Sequence, residues 1–474
     1  MSRAVGVLGA LHGPEELAFV TAVESLAPQV VLSRRCGDVA ELLAAAEAGL
    51  GRLAVVSADL PGLDRDAVST LLAAGVRPLA LADPPEGWLA ERTRALGITV
   101  VVGPGEAVEA VAREAARLRA SGEPRDDDGA FRDTGASSQL ELEGAVEVPE
   151  DWSVADAMLA EEAPAGPAVL GSLLAVWGPT GAPGRTTVAV NLAAELAALG
   201  HGEAPSPRSR RRGSVSRADA GDDVLLVDAD TYGGTVGQVL GLLDESPGIA
   251  AAARAAGQGT LDRAALALLA PLAAPGLRVL TGISRAARWA EVPGPALDVV
   301  WDTARTIARW TVVDCGFSLE DDEALSYDTR APRRNAATLS ALAAADLVLV
   351  VGGADPIGVQ RLVRALGELD DAGIAAPRVV LANRVRASAV GPRPGELVAQ
   401  ALERYAGVSE LRLVPEDRAA LDAAVLRGQA LREVVPGSAV RKALAGLAAD
   451  LEETRAAQLE PAPSRRAARR AVAR

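Results

Sequence analysis

The chain has 474 residues, 49% of them apolar, and a formal net charge of −15. Length sets an expectation of about three domains, or two plus linkers, and the apolar fraction suffices for packed cores. An acidic chain is a poor non-specific nucleic-acid binder as a whole, and two distant cysteines, Cys36 and Cys315, exclude a disulfide framework and a metal-ligand spacing. No apolar run reaches the ~18 residues of a membrane span, and the opening MSRAVGVLGALHG has too short an apolar part for a signal peptide. Lys442 is the only lysine among 48 basic residues. That bias matches a GC-rich coding sequence and lowers the weight of any missing lysine.

Residues 4–119 alternate short apolar runs with Ala-rich amphipathic stretches. AVGVLGA, QVVLS, LAVVS, PLALA and TVVV read as strands, and 38–48 and 66–74 as helices between them. That alternation predicts a five-stranded parallel α/β domain with receiver-like (flavodoxin-like) spacing over 1–119. The chemistry of a phosphorylatable receiver is missing. The position four residues before Pro61 is Ser57, and Asp59 is out of register. GALHG after the first strand has no acidic pair, and Gly103 stands before Pro104 where a lysine is needed. Without paired carboxylates to hold a metal, phosphotransfer lacks electrophilic help. The region reads as a pseudo-receiver used for protein contact.

Residues 120–169 are acidic and have few large apolar residues, apart from a short helix near 153–162, and read as a linker. A second α/β region spans 170–453. Its predicted strands are LLAVW, DVLLVDA, LRVLTG, WTVVDCG, DLVLVVGG, RVVLANRV and LRLVP, giving a mostly parallel sheet. Residues 201–222 form an Arg/Ser/Pro-rich insertion inside it, read as a mobile loop. Residues 454–474 form a basic tail, and 455–474 hold six arginines against one glutamate.

The stretch 172–187, SLLAVWGPTGAPGRTT, carries the most information. A strand enters a Gly/Pro loop, and the loop opens a helix. Loop N–H groups and a helix N-terminus together cradle phosphate. The ordinary phosphate-loop pattern G-x-x-x-x-G-K-[ST] is nevertheless broken, with Pro179 at its first glycine and Arg185 at its lysine. Four later features restore the reading. Asp228 and Asp230 end a buried strand, where carboxylates hold Mg²⁺ through water and orient an attacking water. Asp314 ends a second apolar strand in the manner of a Walker B motif. Asn383 ends another with an amide suited to an adenine edge. Leu413-Val-Pro415-Glu416-Asp417 precedes a helix.

This constellation over 170–453 resembles the MinD/ParA family of P-loop ATPases, whose deviant loop reads K-G-G-x-G-K-T-T. Joined to a receiver-like region, it is similar to the CpaE/TadZ branch, and within that to actinobacterial CpaE-like or Ssd septum-site-determining proteins. The resemblance implies ATP and Mg²⁺ as cofactors. Thr186 would ligate the metal, with Asp228 and Asp314 nearby. Gly181, Gly184, Arg185, Thr187, Asn383 and Pro415 would surround the nucleotide. Asp230 would be the catalytic, water-positioning carboxylate. The family's signature lysine, which acts across a dimer, is Thr180 here, and one of its glycines is Ala182. Arginine at 185 is bulkier than lysine but still pairs with phosphate. Loss of a trans-acting cation is worth roughly 10³-fold in rate, so the expectation is at most a slow ATPase. The polar segment 318–336 reads first as a solvated surface loop, with Arg333 or Arg334 as the candidate replacement cation.

The implied role is a regulator that binds ATP weakly or as a switch. It would position protein partners of septation or of a Tad-type pilus or secretion apparatus, through a homodimer. The alternatives are an active dimerising ATPase on membrane or DNA, and an ATP-dependent ligase of the same superfamily. The tail at 465–474 offers electrostatic contact to DNA or anionic lipid. The expected location is the cytoplasm, peripheral at membrane, pole or septum.

Overall fold

Two parallel sheets follow from the two blocks of alternating pattern. They are seen in a computed structural model that describes residues 4–11, 16, 19–20, 23, 25–120, 170–181, 184–200, 223–242, 247–321 and 332–459. The linker, the short helix near 153–162, the 201–222 insertion and residues 460–474 lie outside the described residues. Helices of eight residues or more are numbered below.

The first block builds β1 (Val5–Ala10), β2 (Val30–Arg35), α1 (Val39–Glu47), β3 (Leu53–Ser57), α2 (Arg65–Ala73), β4 (Arg77–Leu81), α3 (Trp88–Ala95), β5 (Val100–Val102) and α4 (Ala107–Ala120). Its strands are all parallel, in the order β2-β1-β3-β4-β5. This is a doubly wound order with its switch point between β1 and β3. The strands sit where their apolar runs predict them, and aspartate caps start two of the helices. Asp38 accepts the Glu41 N–H at 2.8 Å, and Asp64 accepts the Ala67 N–H at 2.8 Å.

The second block builds β6 (Ser172–Trp177), α5 (Arg185–Gly200), β7 (Val224–Ala229), α6 (Gly248–Gly257), β8 (Leu272–Ala274), β9 (Leu277–Leu280), α7 (Gly294–Ile307), β10 (Trp310–Cys315), α8 (Ala336–Ala344), β11 (Leu347–Gly353), α9 (Pro356–Asp371), β12 (Arg378–Val385), α10 (Pro394–Ala406), β13 (Leu411–Pro415), α11 (Arg418–Arg427) and α12 (Ala439–Leu459). The sheet runs β13-β12-β11-β6-β10-β7-β9-β8, parallel except for the β8/β9 hairpin at its edge. The seven predicted strands are present. β8 was not expected, because a three-residue Ala-rich edge strand has no readable period. The closing helix runs to Leu459, past the expected domain end at 453.

Each face of this sheet buries its own core. Helices α6 to α9 cover one face, with Trp177 and Trp301 inside. On the other, α5 lies between the sheet and α12. Every residue of α5 from Val188 to Ala197 is buried, so it has no polar stripe, as a helix covered on both sides must be. Its two polar residues there are matched. Glu195 pairs with Arg441 at 2.7 Å and Arg432 at 3.4 Å, and Asn191 accepts the Leu431 N–H at 2.8 Å. This packing fixes the helix whose first residues form the site.

The two regions touch. Arg92 of α3 donates to the Leu63 carbonyl in its own region at 3.1 Å and to the Gln258 carbonyl after α6 at 2.9 Å. Among the described residues, no helix is long and apolar enough to cross a membrane.

Candidate functional site

Strands β6, β7 and β10 are central neighbours, and their carboxyl ends open onto one edge. β6 leads from Trp177 into the glycine loop, and α5 starts at Arg185. The loop needs its glycines. Gly181 has φ +66° and Gly184 φ +88°, a left-handed conformation that costs other residues. A Cβ on Gly184 would also lie 2.5 Å from Asn383 Nδ2. The Gly184 carbonyl accepts the Val188 N–H at 2.9 Å and so begins the helix.

Thr186 and Asp314 meet at the centre. The Thr186 hydroxyl donates to Asp314 Oδ2 at 2.6 Å, across 128 residues of sequence. Asp314 is fully buried, and its Oδ1 has no hydrogen-bond partner among the described residues. Burial, reinforced by the nearby Asp228 carboxylate, pushes the Asp314 carboxyl well above its ordinary range; the Thr186 hydrogen bond opposes this. An orphaned carboxylate oxygen beside a threonine hydroxyl and a helix N-terminus fits a hard divalent cation, which prefers oxygen ligands.

Asp228 is the register neighbour of Asp314 on β7, yet it works differently. Its carboxylate accepts the Asp230 N–H at 3.2 Å and the Val236 N–H at 3.0 Å. Gly234 and Gly282 close over it: a Cβ on either would approach the carboxylate to 2.5 Å and 2.6 Å. Asp228 therefore clamps the loop after β7, while its strand register keeps it beside Asp314. Burial is the main cause that raises its pKa to about 7, against those two backbone hydrogen bonds.

Asp230 stands nearer the loop. Its Oδ1 accepts the Tyr232 and Gly233 N–H groups at 2.9 and 3.2 Å, and its Oδ2 lies 3.5 Å from Arg185 Nη2. Arg185 also donates to the Gly178 and Pro179 carbonyls at 3.0 and 3.4 Å. The bulky guanidinium thus fits beneath the loop, tying both its ends to Asp230. Thr187 is half-buried one residue on, and its carbonyl accepts from Asn191 Nδ2 at 2.8 Å.

Asn383 and Pro415 lie on the adjacent strands β12 and β13 at the same edge. The Asn383 amide nitrogen faces Gly184, while its oxygen accepts the Arg384 N–H at 2.9 Å. Arg333 and Arg334, the candidate replacement cations, both have partners of their own. Arg333 pairs with Asp321 at 2.8 Å. Arg334 stacks over Tyr232 at 4.4 Å and donates to the Thr231 carbonyl at 3.4 Å. The Tyr232 hydroxyl in turn donates to Asn335 Oδ1 at 2.9 Å. These contacts fasten the loop after β7 to the start of α8. Cys315 beside Asp314 is fully buried, and burial pushes its thiol pKa up. It fills space and is no nucleophile.

Sequence reading missed Gly234, Gly282 and the Tyr232–Arg334 stack. A Gly-Gly pair after the Asp230 turn was the one available signal.

Fold and site define a class: a doubly wound α/β domain with a glycine loop, a buried threonine–carboxylate pair and a clamped second acidic loop. No protein-family model and no curated protein matches the chain. Among solved structures it is similar to a ParA family ATPase from Chlorobium tepidum, at 17% identity over 60% of this chain and 99% of that one, TM-score 0.47. It is also similar to the septum site-determining protein MinD complexed with Mg-ADP from Pyrococcus horikoshii, at 16% identity, 62% and 100% coverage and TM-score 0.45. A third is the MinC:MinD cell division complex of Aquifex aeolicus, at 17% identity, 62% and 98% coverage and TM-score 0.41.

Proposed function

We propose that residues 170–459 form a MinD/ParA-like nucleotide switch, and that residues 4–120 are a pseudo-receiver that docks a protein partner. The observation that carries this reading is the buried Thr186–Asp314 hydrogen bond with its orphaned second oxygen. In phosphate-loop proteins a loop Ser/Thr and a strand-end Asp hold Mg²⁺ against the phosphates. Bound there, Mg²⁺ would neutralise phosphate charge. Thr186 and Asp314 would hold it, the N–H groups at the start of α5 would receive the phosphates, and Asp230 would orient a water. The Asn383 amide beside Gly184 would face the nucleotide from the far side of the loop.

Catalysis is the weaker half of the site. Position 180 carries threonine, which supplies no charge. Arg185 already satisfies Asp230 and two loop carbonyls, so using it on a phosphate requires breaking those bonds. Slow turnover with retained binding suits a switch whose nucleotide state sets dimerisation and partner choice. By resemblance, the partner belongs to septation or to a Tad-type pilus or secretion apparatus, reached from the cytoplasm at a membrane, pole or septum.

The test is phosphate release and solution mass with Mg²⁺ and ATP. The switch reading predicts ATP-dependent mass change with negligible release. Brisk release abolished by Asp230→Ala would instead favour the active dimerising ATPase.

A further inference from the structure

An exposed arginine of the same chain lies against the glycine loop. β11 lies next to β6, with Val350 opposite Trp177, so the helix after β11 starts beside the glycine loop after β6. That helix is α9, begun by Asp355, whose side chain accepts the Gly358 N–H at 3.0 Å. Two turns in, Arg361 reaches back over the loop. Its guanidinium occupies the space that a Cβ on Gly181 would need. Gly181 is glycine for its φ of +66°, and the guanidinium lies against the open face its missing Cβ leaves. Arg361 is exposed and, among the described residues, has no ion-pair or hydrogen-bond partner. Arg185, by contrast, is held under the loop by Asp230. One arginine at the loop is engaged and the other is not.

We propose that Arg361 contacts the terminal phosphate of a bound nucleoside triphosphate, supplying from its own chain the charge absent at Thr180. The inference rests on the nucleotide reading above. Arginine suits the role because its planar fork gives two parallel hydrogen bonds to a phosphate. A cation supplied in cis also makes triphosphate recognition independent of a second subunit.

The test uses the full-length protein and titrates Mg-ATP and Mg-ADP into wild type, Arg361→Ala and Arg361→Lys. Loss of one charge-assisted phosphate contact is worth about tenfold in affinity. We expect Arg361→Ala to weaken ATP about tenfold and ADP by less than about twofold, with Arg361→Lys keeping most of the ATP preference. Because Arg361 is exposed, thermal melts without nucleotide should be superimposable, separating this role from a structural one. An unchanged ATP-to-ADP ratio in Arg361→Ala, or tighter binding once the guanidinium is gone, overturns the inference and leaves the nucleotide reading standing. No binding of ATP by wild type at millimolar concentration removes both.

Discussion

The two sheets share an architecture and differ at one edge. The first is wholly parallel and the second parallel except at its β8/β9 edge; both are doubly wound, and both end their central strands in turns where ligands bind in such folds. In the first, β3 ends in Ser57 and the turn after β1 has no acidic residue in GALHG. In the second, the equivalent edge gathers Asp228, Asp230 and Asp314 around a glycine loop. Parallel α/β layering thus explains stability in both regions, and chemistry only where strand ends carry charge. A fold is a platform, and the site has to be argued from its side chains.

The largest effect should come from breaking the edge that carries charge. Asp314→Ala removes both the Thr186 partner and the orphaned oxygen, and should weaken Mg-ATP binding by about a hundredfold or more, read by calorimetric titration. Retained affinity would mean the carboxylate edge is no more functional than that of the first sheet. Next is the scaffold under that edge. Leu226 is fully buried in the middle of β7, and Leu226→Ala should cost about 2–5 kcal/mol of stability by chemical denaturation. A cost under ~1 kcal/mol would show that the clamped loop does not depend on its strand.

A smaller effect should come from the buried Asp228 carboxyl. Its folded pKa of about 7 lies above the unfolded value of roughly 3.9, so the folded chain holds the proton more tightly. Stability without nucleotide should therefore rise as pH falls from above 7 toward 4, and the gain should be complete below 4. Asp228→Asn should flatten that slope in thermal melts between pH 7.5 and 5. An unaltered slope would assign the titration to Asp314 alone. The smallest effect is expected in the first region. Ser57→Asp should leave the protein's mass unchanged after treatment with a small-molecule phosphodonor, because one carboxylate without a metal-binding pair gains no electrophilic help. A phosphorylated product would erase the contrast between the edges.

Much of this was legible in the sequence, for a local reason. Apolar runs between polar stretches located twelve strands, the stretches 38–48 and 66–74 located two helices to within a residue at each end, and Asp314 could be read as a strand-end carboxylate from WTVVDCG alone. What escaped depends on distant segments meeting. Nothing near Asp228 says that Gly282, more than fifty residues on, seals it. Nothing in GVQRLVR says that Arg361 lies over Gly181, since only the β11–β6 neighbourhood brings them together. Nothing near Arg333 and Arg334 says that Asp321 and Tyr232 engage them.

The central claim is that the Thr186–Asp314 pair is one half of a metal–nucleotide site. Calorimetric titration of ATP into the wild-type protein, with Mg²⁺ and then with excess chelator, tests it most directly. The account predicts saturable one-site binding that weakens about tenfold or more without Mg²⁺. Absence of binding at millimolar ATP, or binding indifferent to Mg²⁺, would contradict it.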